Sequence, residues 1–234
     1  NIITNTKQIV RVMDPTSNDT IISTAPLHST DGIISQLCLS LIEPLPTLIQ
    51  QHNNTSQELY QSIYKNKATV WFSDRKTITD ITADDKVSSL LLQSIEKIFF
   101  NQQTTSQSEI QEFEAKFKKE LYSGFSSTPS VGFMTLNIPD KLNRQDWHIQ
   151  VGNKTHSVGL PLPGFVIKII NPKTLTECKP EEKGLVLIRG YYQSDANLSL
   201  QPVIIDEMEW VPTTLEGHLD NDGFLFLAAK KHDT

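Results

Sequence analysis

The stretch from Ser157 to Lys230 constrains the fold of this chain more than any other part of it. Gly159, Pro161, Pro163 and Gly164 set a rigid turn, because proline fixes φ and glycine tolerates positive φ. An extended run follows, with Phe165, Ile167 and Ile169 pointing one way and Val166, Lys168 and Ile170 the other. Asn171-Pro172 breaks that run, and a polar loop ends at Lys183-Gly184. Leu185 to Ile188 is a second apolar run. Asp220-Asn221-Asp222-Gly223 is a tight turn leading into a third, Phe224 to Ala228. These residues predict a small antiparallel β unit.

The rest of the chain has a different rhythm. Residues 3–13 read as a helix ended by Asp14-Pro15, and the β-branched run Thr20 to Ala25 as a strand. Pro26 to Gly32 turns into an apolar helix, Ile33 to Ile42, stopped by Pro44. Pro46 to Gln50 is a short strand, Ser56 to Lys65 a helix and Ala68 to Phe72 a buried type of strand. A helical region over Val87 to Ile95 precedes a strand, Lys97 to Phe100. Ser106 and Glu109 form a capping-box pattern, and Ile110, Phe113, Phe117 and Leu121 recur at helical spacing behind it. Tyr122 to Leu136 reads as irregular, then extended, and 140–156 as a polar connector. Strands alternating with helices imply βαβ units and a mostly parallel sheet. The expected division is therefore 1–150 as an α/β subdomain and 151–234 as a β subdomain.

Composition excludes several classes of function. A net charge of −6 with no basic stripe argues against nucleic acid as a partner. Cys38 and Cys178 are too few and too far apart for a disulfide framework or a Cys-x-x-Cys metal site, and a reducing, cytoplasmic compartment is the easier reading. No apolar run reaches the roughly 18 residues that a membrane-spanning helix needs. The six histidines show no metal-ligand spacing. Asp220-Asn221-Asp222-Gly223 hints at a calcium loop but lacks the closing glutamate, so it reads as a hairpin turn. His28 with Asp31 has the residue types for acid–base work, yet it also reads as a polar turn before a helix.

The words SVGLPLPGFVIKIINP, EEKGLVLIRG, EWVPTTLEG and DNDGFLFLAAKKHD, in this order, resemble the adenylate-forming superfamily of acyl-CoA and acyl-ACP synthetases. The family writes VGxPLPG, VKIVDP, GExGEIxVRG, W…TGD, D.DGF and GR.KD. Within it, the words also resemble the acyl-ACP synthetase half of bacterial 2-acylglycerophosphoethanolamine acyltransferase. The resemblance implies a partial adenylate-forming N-terminal domain: a mostly parallel α/β sheet subdomain plus a small β-barrel-like subdomain. It also implies a piece of a longer protein, beginning downstream of the family's phosphate loop and stopping at the hinge before the domain with the catalytic lysine.

The same resemblance points to residues. The family ends one strand in glycines that let backbone approach adenine, whereas here Ile98-Phe99-Phe100 ends in Asn101-Gln102-Gln103. The family's GYGxTE word, whose Tyr stacks on adenine and whose Glu binds Mg²⁺, becomes Gly124-Phe125-Ser126-Ser127-Thr128-Pro129. In that resemblance Phe125 could still stack and Thr128 is retained, while Pro129 replaces the metal ligand. At the TGD word, Trp210 and Thr213 match, but Thr214 and Leu215 replace the glycine and the ribose-binding aspartate. At the hinge, Ala229-Lys230-Lys231-His232-Asp233 keeps a cation at Lys230 without the bidentate guanidinium. The residual cofactor-binding positions are therefore Phe125, Thr128, Thr213 and Lys230. Phe125 reads more readily as a core aromatic than as a stacking residue, and Lys230 more readily as a solvated strand-end lysine than as a ligand contact.

Two functions follow from this. The first is a degenerate adenylate-forming domain needing no cofactor, which holds an acyl chain or scaffolds a partner such as an acyl carrier protein. The second is a divergent working acyl-activating ligase using ATP and Mg²⁺, its remaining motifs lying outside residues 1–234.

Overall fold

The structure is a computed structural model that describes residues 2–50, 55–102, 107–126, 132–142, 148–190 and 201–228. The chain divides into two compact units, 2–124 and 125–234.

In the first unit, α1 (Ile2–Met13) leads to β1 (Ile21–Ser23), and a continuous helix over 30–42 follows. That helix is α at α2 (Thr30–Ile33), π at Ile34–Cys38 and α again at α3 (Leu39–Ile42). Then come β2 (Thr47–Ile49), α4 (Ser56–Asn66), β3 (Val70–Ser73), α5 (Arg75–Ala83), a 3₁₀ turn (Ser89–Leu92), β4 (Lys97–Asn101), α6 (Gln107–Phe117) and β5 (Leu121–Phe125). The strands lie in the order β2-β1-β3-β4-β5, and every pairing within that run is parallel. Parallel strands covered on both faces need apolar residues without alternation, which is why Val70-Trp71-Phe72 and Ile98-Phe99-Phe100 read as continuous runs.

Trp71, Ile98, Phe100 and Leu121 point to one face, where Leu59, Ile63, Ile78, Ile81, Phe113 and Phe117 of α4, α5 and α6 cover them. Phe72, Phe99 and Tyr122 line the other face in a row, Phe72 stacked on Phe99 with centroids 5.3 Å apart and Tyr122 tilted against Phe99 at 5.7 Å. Local chemistry sets the helix starts. Thr55 and Glu58 close a reciprocal capping box on α4, and Asp74 accepts from the Thr77 N–H at the start of α5.

Three expectations need correction here. The helix behind Glu109 stops at Phe117, because Lys118 takes φ +54°, and Leu121 opens β5 instead of lying on the helix. Tyr122 to Phe125 is correspondingly a buried strand, with Ser123 and Gly124 interrupting the apolar run that would have revealed it. Of the helical region at 87–95, only a 3₁₀ turn forms, at Ser89–Leu92. Ser106 lies outside the described residues.

In the second unit, β6 (Thr135–Leu136) pairs antiparallel with β9 (Leu160–Pro161), and β7 (Lys141–Leu142) with β8 (Ile149–Gln150). A curled antiparallel sheet follows, made of β10 (Phe165–Ile170), β11 (Gly184–Gly190), β12 (Val203–Ile205), β13 (Met208–Leu219) and β14 (Leu225–Leu227). Its order is β10-β11-β13-β12, with β14 on the far end of β13. The three apolar runs expected to share one β unit do share it. The twelve-residue β13 pairs with three partners, and Pro212 and a bulge hide its alternation in the sequence. Gly159, at φ +91°, brings its backbone so close to Leu136 that a Cβ there would sit 2.0 Å from the Leu136 carbonyl carbon. That approach lets Val158 and Gly159 exchange backbone hydrogen bonds with Leu225.

Candidate functional site

Open parallel sheets bind ligands outside the carboxyl ends of their strands. In the first unit those ends carry a connected polar network. β4 finishes at Asn101, whose side-chain amide donates to the Asp31 carboxylate at 3.3 Å. Asp31 stands in the first turn of α2, which Ser29 caps by accepting from the Gly32 N–H. The helix can begin there because residue 32 is glycine: a Cβ would lie 2.0 Å from the Pro26 carbonyl oxygen. Ser35 donates to the Asp31 carbonyl at 2.6 Å and lies 2.7 Å, Oγ to Oγ, from Ser23 at the end of β1. Burial pushes the Asp31 carboxyl up from its ordinary range, and the Asn101 amide offsets part of that rise.

Gln36 belongs to the same network and sits in the π segment, a rare geometry that recurs at functional sites. It is 2% exposed and donates its amide to the Ala25 carbonyl at 2.6 Å. Its Oε1 is buried and accepts from no donor among the described residues; the same holds for the Gln102 Oε1. Sequence reading passed over Gln36. The available signal was a Ser-Gln pair in the middle of an otherwise apolar helix.

The second unit holds the other group of expected residues. Opposite Val186 of β11, β13 carries Thr213, Thr214 and Leu215 between the pairs Leu187↔Pro212 and Leu185↔Glu216, so the strand bulges there. The Thr213 hydroxyl fills the break. It donates to the Val186 carbonyl at 2.9 Å and accepts from the Leu215 N–H at 3.1 Å. The bulge turns Thr214 outward and buries Leu215 to 6% exposure. Trp210 packs with Ile170 and Leu187, and the Lys168 ammonium lies 5.1 Å from its ring centroid.

Phe125 is fully buried at the end of β5, and its carbonyl accepts from the Met134 N–H. Thr128, Pro129 and Lys230 lie outside the described residues. The Asp220–Gly223 turn is a hairpin between β13 and β14, and the Lys154 ammonium fills the space between its two carboxylates. Among the described residues no three His, Cys, Asp or Glu side chains converge as a ligand set for a metal ion. Among the same residues no helix is long and apolar enough to cross a membrane.

Comparison with known proteins places this geometry in a family. The model of the AMP-binding enzyme family matches residues 1–195. No curated protein matches the chain. Among solved structures, the ATP-bound MatB of Rhodopseudomonas palustris superimposes with a TM-score of 0.77 at 16% identity, over 98% of this chain and 43% of that one. The o-succinylbenzoate-CoA synthetase MenE of Bacillus subtilis, in complex with AMP, gives 0.73 at 19%, over 99% and 45%. The anthranilate-CoA ligase AuaEII, with anthranoyl-AMP, gives 0.78 at 16%, over 98% and 43%. The chain spans less than half the length of each of these structures.

Proposed function

This chain belongs to the AMP-binding enzyme family, and from that premise we propose that it is a degenerate adenylate-forming domain. The fold is kept, ATP-dependent acyl activation is lost, and what remains is an acyl-binding or scaffolding role. The observation that carries this reading is Leu215. In the resemblance to acyl-ACP synthetases it stands where an aspartate accepts from the ribose hydroxyls, and here it is an apolar side chain at 6% exposure. Asn101 adds to it: where the resemblance expects glycine, a side chain crosses from β4 to Asp31. An apolar Leu215 and a side chain at Asn101 both speak against a nucleotide contact of the family's kind. A fatty acyl chain, or the acyl carrier protein that brings it, is the partner this reading favours.

The test is acyl-dependent ATP–pyrophosphate exchange by the protein as encoded in full, across a panel of fatty acids. The expected result is no exchange above a no-enzyme control. Clear exchange would replace this reading with a second one, a divergent acyl-activating ligase using ATP and Mg²⁺. That second reading is supported by solved structures of the same fold that hold ATP or AMP.

A further inference from the structure

We propose that Asp222 is a site of spontaneous covalent modification, isomerisation of the Asp222-Gly223 peptide to isoaspartate, and that Lys154 sets its rate by pinning the carboxylate that has to move. The inference is independent of the family reading above.

The chemistry needs an aspartate followed by an unhindered backbone nitrogen, which glycine supplies best. The Gly223 nitrogen attacks the Asp222 side-chain carboxyl carbon in its acid form, a C–N bond forms, and the hydroxyl leaves with the nitrogen's proton as water. Water then reopens the five-membered ring. Opening at the main-chain carbonyl carbon leaves the backbone running through the side chain, one carbon longer. Nothing is oxidised or reduced, and the water lost is regained.

The sequence offers this pair twice, at Asp31-Gly32 and Asp222-Gly223, and the structure separates them. Asp31-Gly32 lies in the first turn of α2, the Gly32 N–H is spent on Ser29, and a Cβ at residue 32 would lie 2.0 Å from the Pro26 carbonyl oxygen. That backbone has no room to swing. Asp222-Gly223 lies in the β13–β14 hairpin, with the Asp222 side chain 69% exposed and Gly223 at φ +86°. A Cβ at Gly223 would meet nothing nearer than Leu160, at 3.8 Å, so the ring has space. Two contacts restrain it: the Gly223 N–H donates to the Asp220 carbonyl, and the Lys154 ammonium holds the Asp222 carboxylate. Both must open before nitrogen meets carbon. The hydrogen bond is common to such turns, whereas the lysine comes from a distant segment and is particular to this fold. The longer backbone of the product breaks the turn and, with it, the geometry that sets Leu225 against Val158 and Gly159.

The experiment incubates the protein as encoded in full in heavy-oxygen water at neutral pH, well below its melting temperature, and maps the label by peptide fragmentation. Each passage through the ring leaves one heavy oxygen in the reacting residue. The expected result is slow labelling of residue 222, none at residue 31, and labelling of residue 222 several-fold faster in Lys154→Met, the scale on which an exposed ion pair holds its partners. Val186→Ala, which loosens the same sheet and leaves the turn's contacts in place, should keep the original rate. No label at residue 222 in either the unmodified protein or Lys154→Met, label at residue 31 as fast as at 222, equal rates with and without Lys154, or equal acceleration in Val186→Ala overturns the proposal. Should Lys154→Met fail to fold, the unmodified protein in high salt decides, because screening weakens the same exposed pair. A faster rate there supports the role of Lys154, and an unchanged one overturns it.

Discussion

The Lys154 ammonium lies 2.5 Å from the Asp220 carboxylate, 66 residues away in the chain, and equally close to Asp222. It also sits 4.8 Å from the centroid of the Phe224 ring. One lysine thereby ties the segment before Val158 to the hairpin between β13 and β14, and offsets one of the two negative charges that the turn carries.

This pair predicts an acid-sensitive fold. Burial alone would raise the Asp220 carboxyl, but Lys154 and the N–H groups of Phe224 and Asp222 outweigh it and hold the group below its ordinary range. A depressed carboxylate contributes stability that is complete above the unfolded value, about 3.9, and is lost as pH falls through the lower folded value. Thermal melting should therefore weaken below about pH 4. Lys154→Met should lower the Tm at pH 7 and flatten that acid limb. Melting curves of both proteins from pH 2.5 to 7 check it; identical curves would show that the pair adds nothing to stability.

Asp31 predicts the opposite slope. Burial raises its carboxyl above the unfolded value, with the Asn101 amide pulling only partly back. The charged form is then a liability, absent below the unfolded pKa and fully present above the folded one. Asp31→Asn should raise the Tm at pH 7, on a scale of about 2–4 °C per kcal/mol for a chain of this size. The gain should shrink on acidification. A loss of stability at pH 7 would mean that the charge itself is needed.

Much of this fold is legible in the sequence because single residue types decide it. Pro44, Asn171-Pro172 and the Asp220–Gly223 turn mark the ends of elements, and the runs at 70–72, 98–100 and 165–170 need no tertiary information to be read as strands. What escapes has a physical reason in each case. α5 carries only Ile78 and Ile81 on its buried face, so its clearest signal is the Asp74 cap. β5 contains Ser123 and Gly124, and β13 bulges, so neither alternates. The site residues divide the same way. Thr213 stands out as a word, but its role in closing a bulge depends on Val186, 27 residues away. Gln36 becomes visible only once its buried oxygen is seen to have no donor among the described residues.

Trp71 is the packing centre of the parallel sheet and gives the largest predicted loss. It is fully buried, its indole N–H donates to the Thr24 hydroxyl at 3.3 Å, and its ring lies 6.5 Å from that of Phe113. Trp71→Ala should cost about 3–5 kcal/mol through the cavity it leaves. Trp71→Phe should cost less, since most of the volume survives. Urea midpoints at constant m-value measure both; a Trp71→Ala loss below about 1 kcal/mol would show that the sheet repacks freely.

The last prediction concerns nucleotide. A hydrogen bond to a charged acceptor contributes roughly 1.5–3 kcal/mol, so an aspartate-to-leucine change at a ribose contact weakens binding about 10- to 100-fold. Leu215 makes no such bond, and its burial in the β13 bulge means that the acceptor cannot simply be put back. Leu215→Asp would place a carboxylate at a site with 6% exposure. It should therefore destabilise the second unit by several kcal/mol, on the order of the penalty for burying an unpaired charge, instead of restoring affinity. Calorimetry of AMP and Mg·ATP against the protein as encoded in full should find no dissociation constant tighter than about 10 μM, near −7 kcal/mol. The melting temperature of Leu215→Asp should fall in parallel. Tight AMP binding by the unmodified protein would show that the ribose finds a different acceptor, and would move the family member from a degenerate domain to a working ligase. A stable Leu215→Asp variant that gains AMP affinity would show instead that the bulge can turn its side chain toward a ligand, and that a single substitution separates the two states.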